Sequence, residues 1–419
     1  MAQLLIKNIG LLRGILDQGV GRLRGTEMDR VGQLADAWLA TEGGLIDAFG
    51  PMASCPADDG FARVIGARRA IVTPTFCDSH THIVYAGSRQ GEFLDKINGL
   101  TYEEIAKRGG GILNSADRLA VTSDDELYAD ARRRILQAAA TGTGAIEIKT
   151  GYGLTLEAEL KMLRVIDRLR RDLPQIEIRA TFLGAHAVGR AFAGRTQDYV
   201  DHIVRDMLPA VAATGQADFV DVFCDTGFFS PGQTAQILTA AAAYGLRPKI
   251  HADELARSGG VETGIAHGAL SVDHLERMDD AQIAALAASD TVATMLPGAS
   301  FFLGMPYAPA RKAIDSGCCV ALASDWNPGS SPSGSMPFVM SLGCIKMKLT
   351  PDRAFNAVTV NAAAAMDVAS THGSVTVGKA ASLIIYKPYI PDAAYIPYAY
   401  TEPLIATVVL RGEELQSTQ

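Results

Sequence analysis

A (β/α)8 barrel with a small flanking β-sandwich is the fold class predicted by this 419-residue chain. Three observations lead there. Between residues 75 and 329, eight short β-branched runs alternate with longer segments of helical period. Each run is nearly continuously apolar, as expected for parallel strands buried on both faces. The polar residues that break the runs fall at their C-terminal ends, where a closed barrel gathers them into one mouth and an open sheet would spread them along a line.

The strands are predicted at "TFCDSHTHIVYA" (75–86), "GAIEIKT" (144–150), "EIRATFLGAH" (177–186) and "ADFVDVFCD" (217–225). The remaining four are "RPKIHAD" (247–253), "LSVDHL" (270–275), "TVATMLPG" (291–298) and "CVALASD" (319–325). Helical patterns separate them; in "SDDELYADARRRILQAAA" the pair Ser123 and Glu126 reads as a capping box. Residues 1–72 and a tail beginning near residue 365 hold further strand-length runs, among them "LLIKNI", "SLIIYK" and "ATVVLRGEE". These are predicted to pair as a small flanking domain beside a catalytic barrel of residues 73–364.

Composition excludes several classes of function. The net charge is -8 and the densest basic run, "ARRRI" at Ala131–Ile135, lies in a helical pattern, which argues against nucleic-acid binding. No apolar window approaches the ~18 residues needed to span a bilayer, and Lys7 interrupts an N-terminus that has no cleavage-site pattern. Six cysteines without CxxC spacing, several inside apolar runs, read as buried thiols in a reducing cytoplasm.

The chain has only 8 histidines, and two of them, His80 and His82, stand two positions apart at the end of the first run. In an extended backbone such residues point to the same side. Alone, the pair is compatible with hydrogen-bonded structure. His251 ends the fifth run, His274 the sixth and Asp325 the eighth, and together they converge on one mouth. Imidazoles with a carboxylate suit Zn(II) or Fe(II) with one position open to water.

"HTH" after an apolar strand, followed in order by strand-end His, His and Asp, resembles the amidohydrolase superfamily. The flanking strands at both chain ends fit the same family, as do "HTHIVYAGSRQGEF", "KTGYGL", "FLGAHA", "HADE", "VDHLE" and "SDWNPGS". The resemblance implies His80, His82, His251 and Asp325 as ligands of one zinc or iron ion per chain. A single ion is implied because the fourth run ends "VFCDTG", without the lysine that bridges two ions in binuclear members; Lys149 belongs to the second run.

The implied activity is hydrolysis of a cyclic amide carrying a propanoate group. Glu254, His274 and Asp325 would share the proton transfers and the activation of water and carbonyl. Arg89 matches a carboxylate-binding arginine, with Tyr102 a weaker candidate for that end, and Tyr152, His186, Glu254, Asn327, Gly329 and Ser330 match other substrate contacts. A homodimer acting on a small carboxylate-bearing molecule is also implied. The alternatives are a mononuclear deaminase of cytosine- or guanine-like rings, which has no need of Arg89 with Tyr152, and an inactive barrel serving as scaffold, which should have lost ligands.

Overall fold

A computed structural model of the chain describes residues 3–100 and 111–415. Eight parallel strands form the central sheet: β6 (Phe76–Asp78), β7 (Thr143–Lys149), β8 (Glu177–Ala185), β9 (Phe219–Cys224), β10 (Arg247–Ala252), β11 (Ser271–His274), β12 (Val292–Met295) and β13 (Val320–Leu322). Each hydrogen-bonds to its sequence neighbour, in the order β6 through β13. The strand ladders do not join β13 to β6. Closure comes from the segments just beyond them: Asp325 N–H donates to the His80 carbonyl at 3.0 Å and His82 N–H to the Trp326 carbonyl at 2.9 Å. Asp78 adds a clasp, accepting from Ser324 N at 3.0 Å and Ser324 Oγ at 2.6 Å. The closure therefore runs through the residues that carry the histidines.

Helices cover the outside, and their ends follow the sequence. Ser123 caps the helix Asp124–Ala140 in a reciprocal capping box with Glu126, as the spacing predicts. Thr155 caps Leu156–Asp172, and Ser230 and Asp279 form capping boxes with Gln233 and Gln282.

The two chain ends build a second, mixed eight-stranded sheet. It comprises β1 (Leu4–Ile15), β2 (Gly32–Glu42), β3 (Leu45–Pro51), β4 (Arg63–Gly66), β5 (Ile71–Pro74), β14 (Leu383–Tyr386), β15 (Ile405–Leu410) and β16 (Glu413–Glu414). Seven of the strands pair in the order β16-β15-β14-β5-β1-β2-β3, with β4 pairing β1 off that path, around a core of their own in which Leu4, Ile6 and Ile9 meet Val72, Leu383 and Val409. The antiparallel pairing of β14 with β5 ties the tail to the start of the barrel. Among the described residues no helix is long and apolar enough to cross a membrane.

Two expectations need correction. The first barrel strand stops at Asp78, so His80 and His82 lie beyond it, in an extended segment bridged through Thr81 to Trp326. The barrel interior is also not apolar throughout. Glu147, Lys149, Asp221, Lys249 and Asp273 are all fully buried inside it. They sit there because they neutralise one another: Lys149 Nζ donates to Glu147 at 2.7 Å and to Asp221 at 2.8 Å, and Lys249 Nζ pairs with Glu147. Lys149 accordingly points into the barrel and not into its mouth.

Candidate active site

The loops that follow the strands enclose a cavity of about 420 Å³ at the C-terminal mouth. At its floor, His80 Nε2 lies 3.3 Å from His82 Nε2, which lies 3.4 Å from His251 Nε2. Asp325 Oδ1 is 3.6 Å from His80 Nε2 and 3.7 Å from His82 Nε2. Donor atoms of His80, His82 and His251 lie within 4.8 Å of one another, as do those of His80, His274 and Asp325, so this cluster could hold a metal ion. A tetrahedral ion with metal–nitrogen bonds of about 2.0–2.1 Å separates its ligand atoms by roughly 3.3 Å, which the His80–His82 and His82–His251 spacings match.

The surroundings prepare the imidazoles for that task. Asp273 Oδ2 lies 2.7 Å from His80 Nδ1 and Asp221 Oδ2 lies 2.9 Å from His251 Nδ1. Each carboxylate thereby favours the proton on Nδ1 and leaves the Nε2 lone pair directed at the cluster. Burial, reinforced by neighbouring cations and imidazoles, holds His80 and His82 well below the ordinary histidine range, so both are neutral.

His274 and Glu254 stand beside this group. His274 Nε2 is 3.7 Å from Glu254 Oε2, and its Nδ1 is 3.6 Å from Glu276 Oε2. Burial alone would lower the His274 pKa, but the carboxylates of Glu254 and Glu276 outweigh it and push it up to about 10. Burial pushes the Glu254 carboxyl up to about 7, with His274 opposing and Glu276 and Asp325 reinforcing. The backbone is strained at the same place: His274 has φ 83°, Leu275 71°, Asp253 55° and Asp325 53°. Left-handed conformations outside glycine persist where surrounding contacts impose them, and they cluster at working sites.

The cavity walls contain the other predicted residues. Arg89, Tyr152, His186, Glu254, Asn327, Gly329 and Ser330 all line it. Arg89 Nη2 donates to Glu92 at 2.5 Å, and a Cβ on Gly329 would stand only 2.2 Å from Arg89 Nη1, so a side chain there would displace the guanidinium from where it now lies. His186 stacks on His82 with ring centroids 5.2 Å apart, and its Nδ1 lies 3.0 Å from the Gly151 carbonyl. Asn327 Oδ1 accepts from Gly329 N and Ser330 N, both at 2.8 Å, and Ser330 Oγ donates to Asp325 Oδ2 at 3.1 Å. The turn therefore orients the Asp325 carboxylate. Asp225 shapes the wall from behind, accepting from Leu255 N at 2.8 Å just past Glu254. Tyr102 lies outside the described residues.

Sequence reasoning missed several members. Phe223, Phe228, Leu303 and Met305 supply apolar wall, and Lys96 adds a second cation, 6.0 Å above the Phe302 ring. Asp221 and Asp273 stand as acids inside the apolar runs "FVDVF" and "LSVDHL", a signal that a buried partner is needed but not of which partner or which face.

The sequence profile of the Amidohydrolase family matches residues 71–415. An imidazolonepropionase of Christiangramia forsetii is 48% identical over 98% of this chain and 99% of its own length. An imidazolonepropionase of Pseudomonas putida is 41% identical over 91% of this chain and 94% of its own. Among solved structures, an atrazine chlorohydrolase from Arthrobacter aurescens complexed with zinc superposes with a TM-score of 0.70 at 16% identity, covering 98% of this chain and 95% of that one. That likeness concerns the fold alone.

Proposed function

This chain belongs to the amidohydrolase family, and from that premise we propose that it is an imidazolonepropionase, hydrolysing 4-imidazolone-5-propanoate to N-formimino-L-glutamate in histidine degradation. The observation that supports this reading is a cluster of His80, His82, His251 and Asp325 at a cavity lined also by Glu254, His274 and Arg89. His80, His82, His251 and Asp325 would hold one zinc or iron ion. Bound there, such an ion supplies an electrophile and a water whose pKa is lowered towards ~7.

The protein's own groups do the rest. Asp325 Oδ2, held by Ser330 Oγ at 3.1 Å, would accept the water's proton. His274, braced between two carboxylates, can donate from Nε2 to the carbonyl oxygen as charge develops on it. The ring C–N bond then breaks, the carbonyl carbon becomes a carboxylate, and Glu254, whose burial raises its carboxyl to about 7 and so keeps the acid form populated near neutral pH, delivers a proton to the departing nitrogen. Arg89 would fix the propanoate, with Tyr152, His186 and the Asn327–Ser330 turn around the ring. We also propose a homodimer, as the family resemblance implies, and a reducing cytoplasm, in keeping with the six free cysteines. The same reading assigns residues 1–72 with 365–419 to the flanking domain and 73–364 to the barrel.

The deciding experiment is a product assay on metal-replete protein. Formiminoglutamate should appear from 4-imidazolone-5-propanoate without ammonia. Ammonia from a cytosine- or guanine-like ring, with no turnover of the imidazolone, would replace this reading by the deaminase.

Two further outcomes are expected. Elemental analysis should find about one zinc or iron per chain; two tightly held ions would refute the single-ion site. Arg89→Met should raise KM with little change in metal content, because truncating a desolvated charge-assisted pair costs roughly 2–5 kcal/mol. Wild-type kinetics in that variant would move the carboxylate contact elsewhere, with Lys96 the first candidate.

A further inference from the structure

We propose that Lys149 is a positioning residue for the metal centre, its single ammonium holding in place both carboxylates that orient the ligand histidines. The proposal rests on the ligand assignment above. Lys149 Nζ is 2.8 Å from Asp221 Oδ2 and 3.4 Å from Asp273 Oδ2. Those are the same two oxygen atoms that stand 2.9 Å from His251 Nδ1 and 2.7 Å from His80 Nδ1. One cation is therefore shared by two of the three imidazoles, through one carboxylate each.

The remaining contacts show why the lysine is required. Asp221 is pinned on its other oxygen by the His251 backbone N–H at 3.1 Å, and Asp273 on its other oxygen by Ser271 Oγ at 2.5 Å. Lys149 supplies the second anchor in each case, so each carboxylate is fixed at both oxygens. It also offsets the repulsion of two anions converging in a buried interior. Without it the carboxylates are free to turn away from the imidazoles, and the Nε2 atoms lose their common aim. Lys249 is a built-in comparison. It is equally buried, but it pairs with Glu147, donates to the carbonyls of Ser79 and Ala365 at 3.1 Å, and stays 3.9 Å from Asp273.

The test is zinc affinity, measured on chelator-stripped full-length protein by titrating Zn2+ against a competing chelator. Lys149→Gln should raise the zinc dissociation constant by about 10–100-fold, the usual effect of losing a partner of a ligating histidine. Lys249→Gln should change it by less than about threefold, even where it lowers the melting temperature as much. Equal weakening in both variants would overturn the proposal in favour of a general effect of interior charge. Unchanged affinity in Lys149→Gln would also overturn it. Should Lys149→Gln fail to fold, the charge-balanced Glu147→Gln/Lys149→Gln protein gives the same reading: weakened zinc supports the proposal and wild-type affinity refutes it. A wild-type protein that binds no zinc would instead remove the ligand assignment beneath it.

Discussion

His82→Ala is expected to lose the metal and the activity together while the barrel stays folded. His82 contributes Nε2 to the ligand cluster, 3.3 Å from His80 Nε2 and 3.4 Å from His251 Nε2. Among the described residues its Nδ1 has no hydrogen-bond partner, in contrast to His80, whose Nδ1 faces Asp273 at 2.7 Å. Truncating His82 therefore leaves no buried acid without its imidazole. Truncating His80 does, removing the 2.7 Å contact of Asp273 Oδ2 and leaving that oxygen to Lys149 at 3.4 Å. Both variants should retain almost no metal by elemental analysis and lose more than the ~10²–10⁴-fold attributable to one proton-transfer group, since water activation goes with the ion. Metal-free His82→Ala should nevertheless melt closer to metal-free wild type than His80→Ala does. A His82→Ala enzyme with full metal content and measurable turnover would remove His82 from the ligand set.

The contrast between these histidines also marks what a sequence can disclose. The same-side placement of His80 and His82 was legible because it needs only extended backbone, and the bridge from Thr81 to Trp326 preserves that geometry although strand β6 ends at Asp78. His251, His274 and Asp325 were legible because a parallel barrel brings strand ends together whatever the loops do. Asp221 and Asp273 were not, because an acid within a short strand can face either the interior or the covering helices, and register decides which. Their shared partner, Lys149, lies 72 residues from Asp221 in the chain, a separation that no local pattern encodes. Lys96 was missed for a different reason. Its side chain belongs to the helix Gln90–Ile97, which exposes Phe93, Leu94 and Ile97, and the cavity-facing side of such a helix is fixed only by tertiary contacts.

Glu254→Gln is expected to separate proton transfer from metal binding, reducing kcat by roughly 10²–10⁴-fold with metal content unchanged. Glu254 follows His251 by three residues, its carboxylate lines the cavity, and it touches His274 Nε2 at 3.7 Å without belonging to the ligand cluster. Glutamine keeps the shape and one acceptor but cannot release a proton at neutral pH. Substrate or product-analogue binding should therefore stay near the wild-type value. The pH dependence follows from the environment of the group. Burial raises the Glu254 carboxyl to about 7, so it holds its proton below that pH and has lost it above. Acting as the acid for the departing nitrogen, it should give a kcat that falls as pH rises through that region. In Glu254→Gln this alkaline limb should vanish while any limb belonging to water activation remains. Loss of the limb with retained metal would assign the proton donor to Glu254. A variant that kept both wild-type kcat and the limb would pass the proton to His274, the other group within reach of the leaving nitrogen.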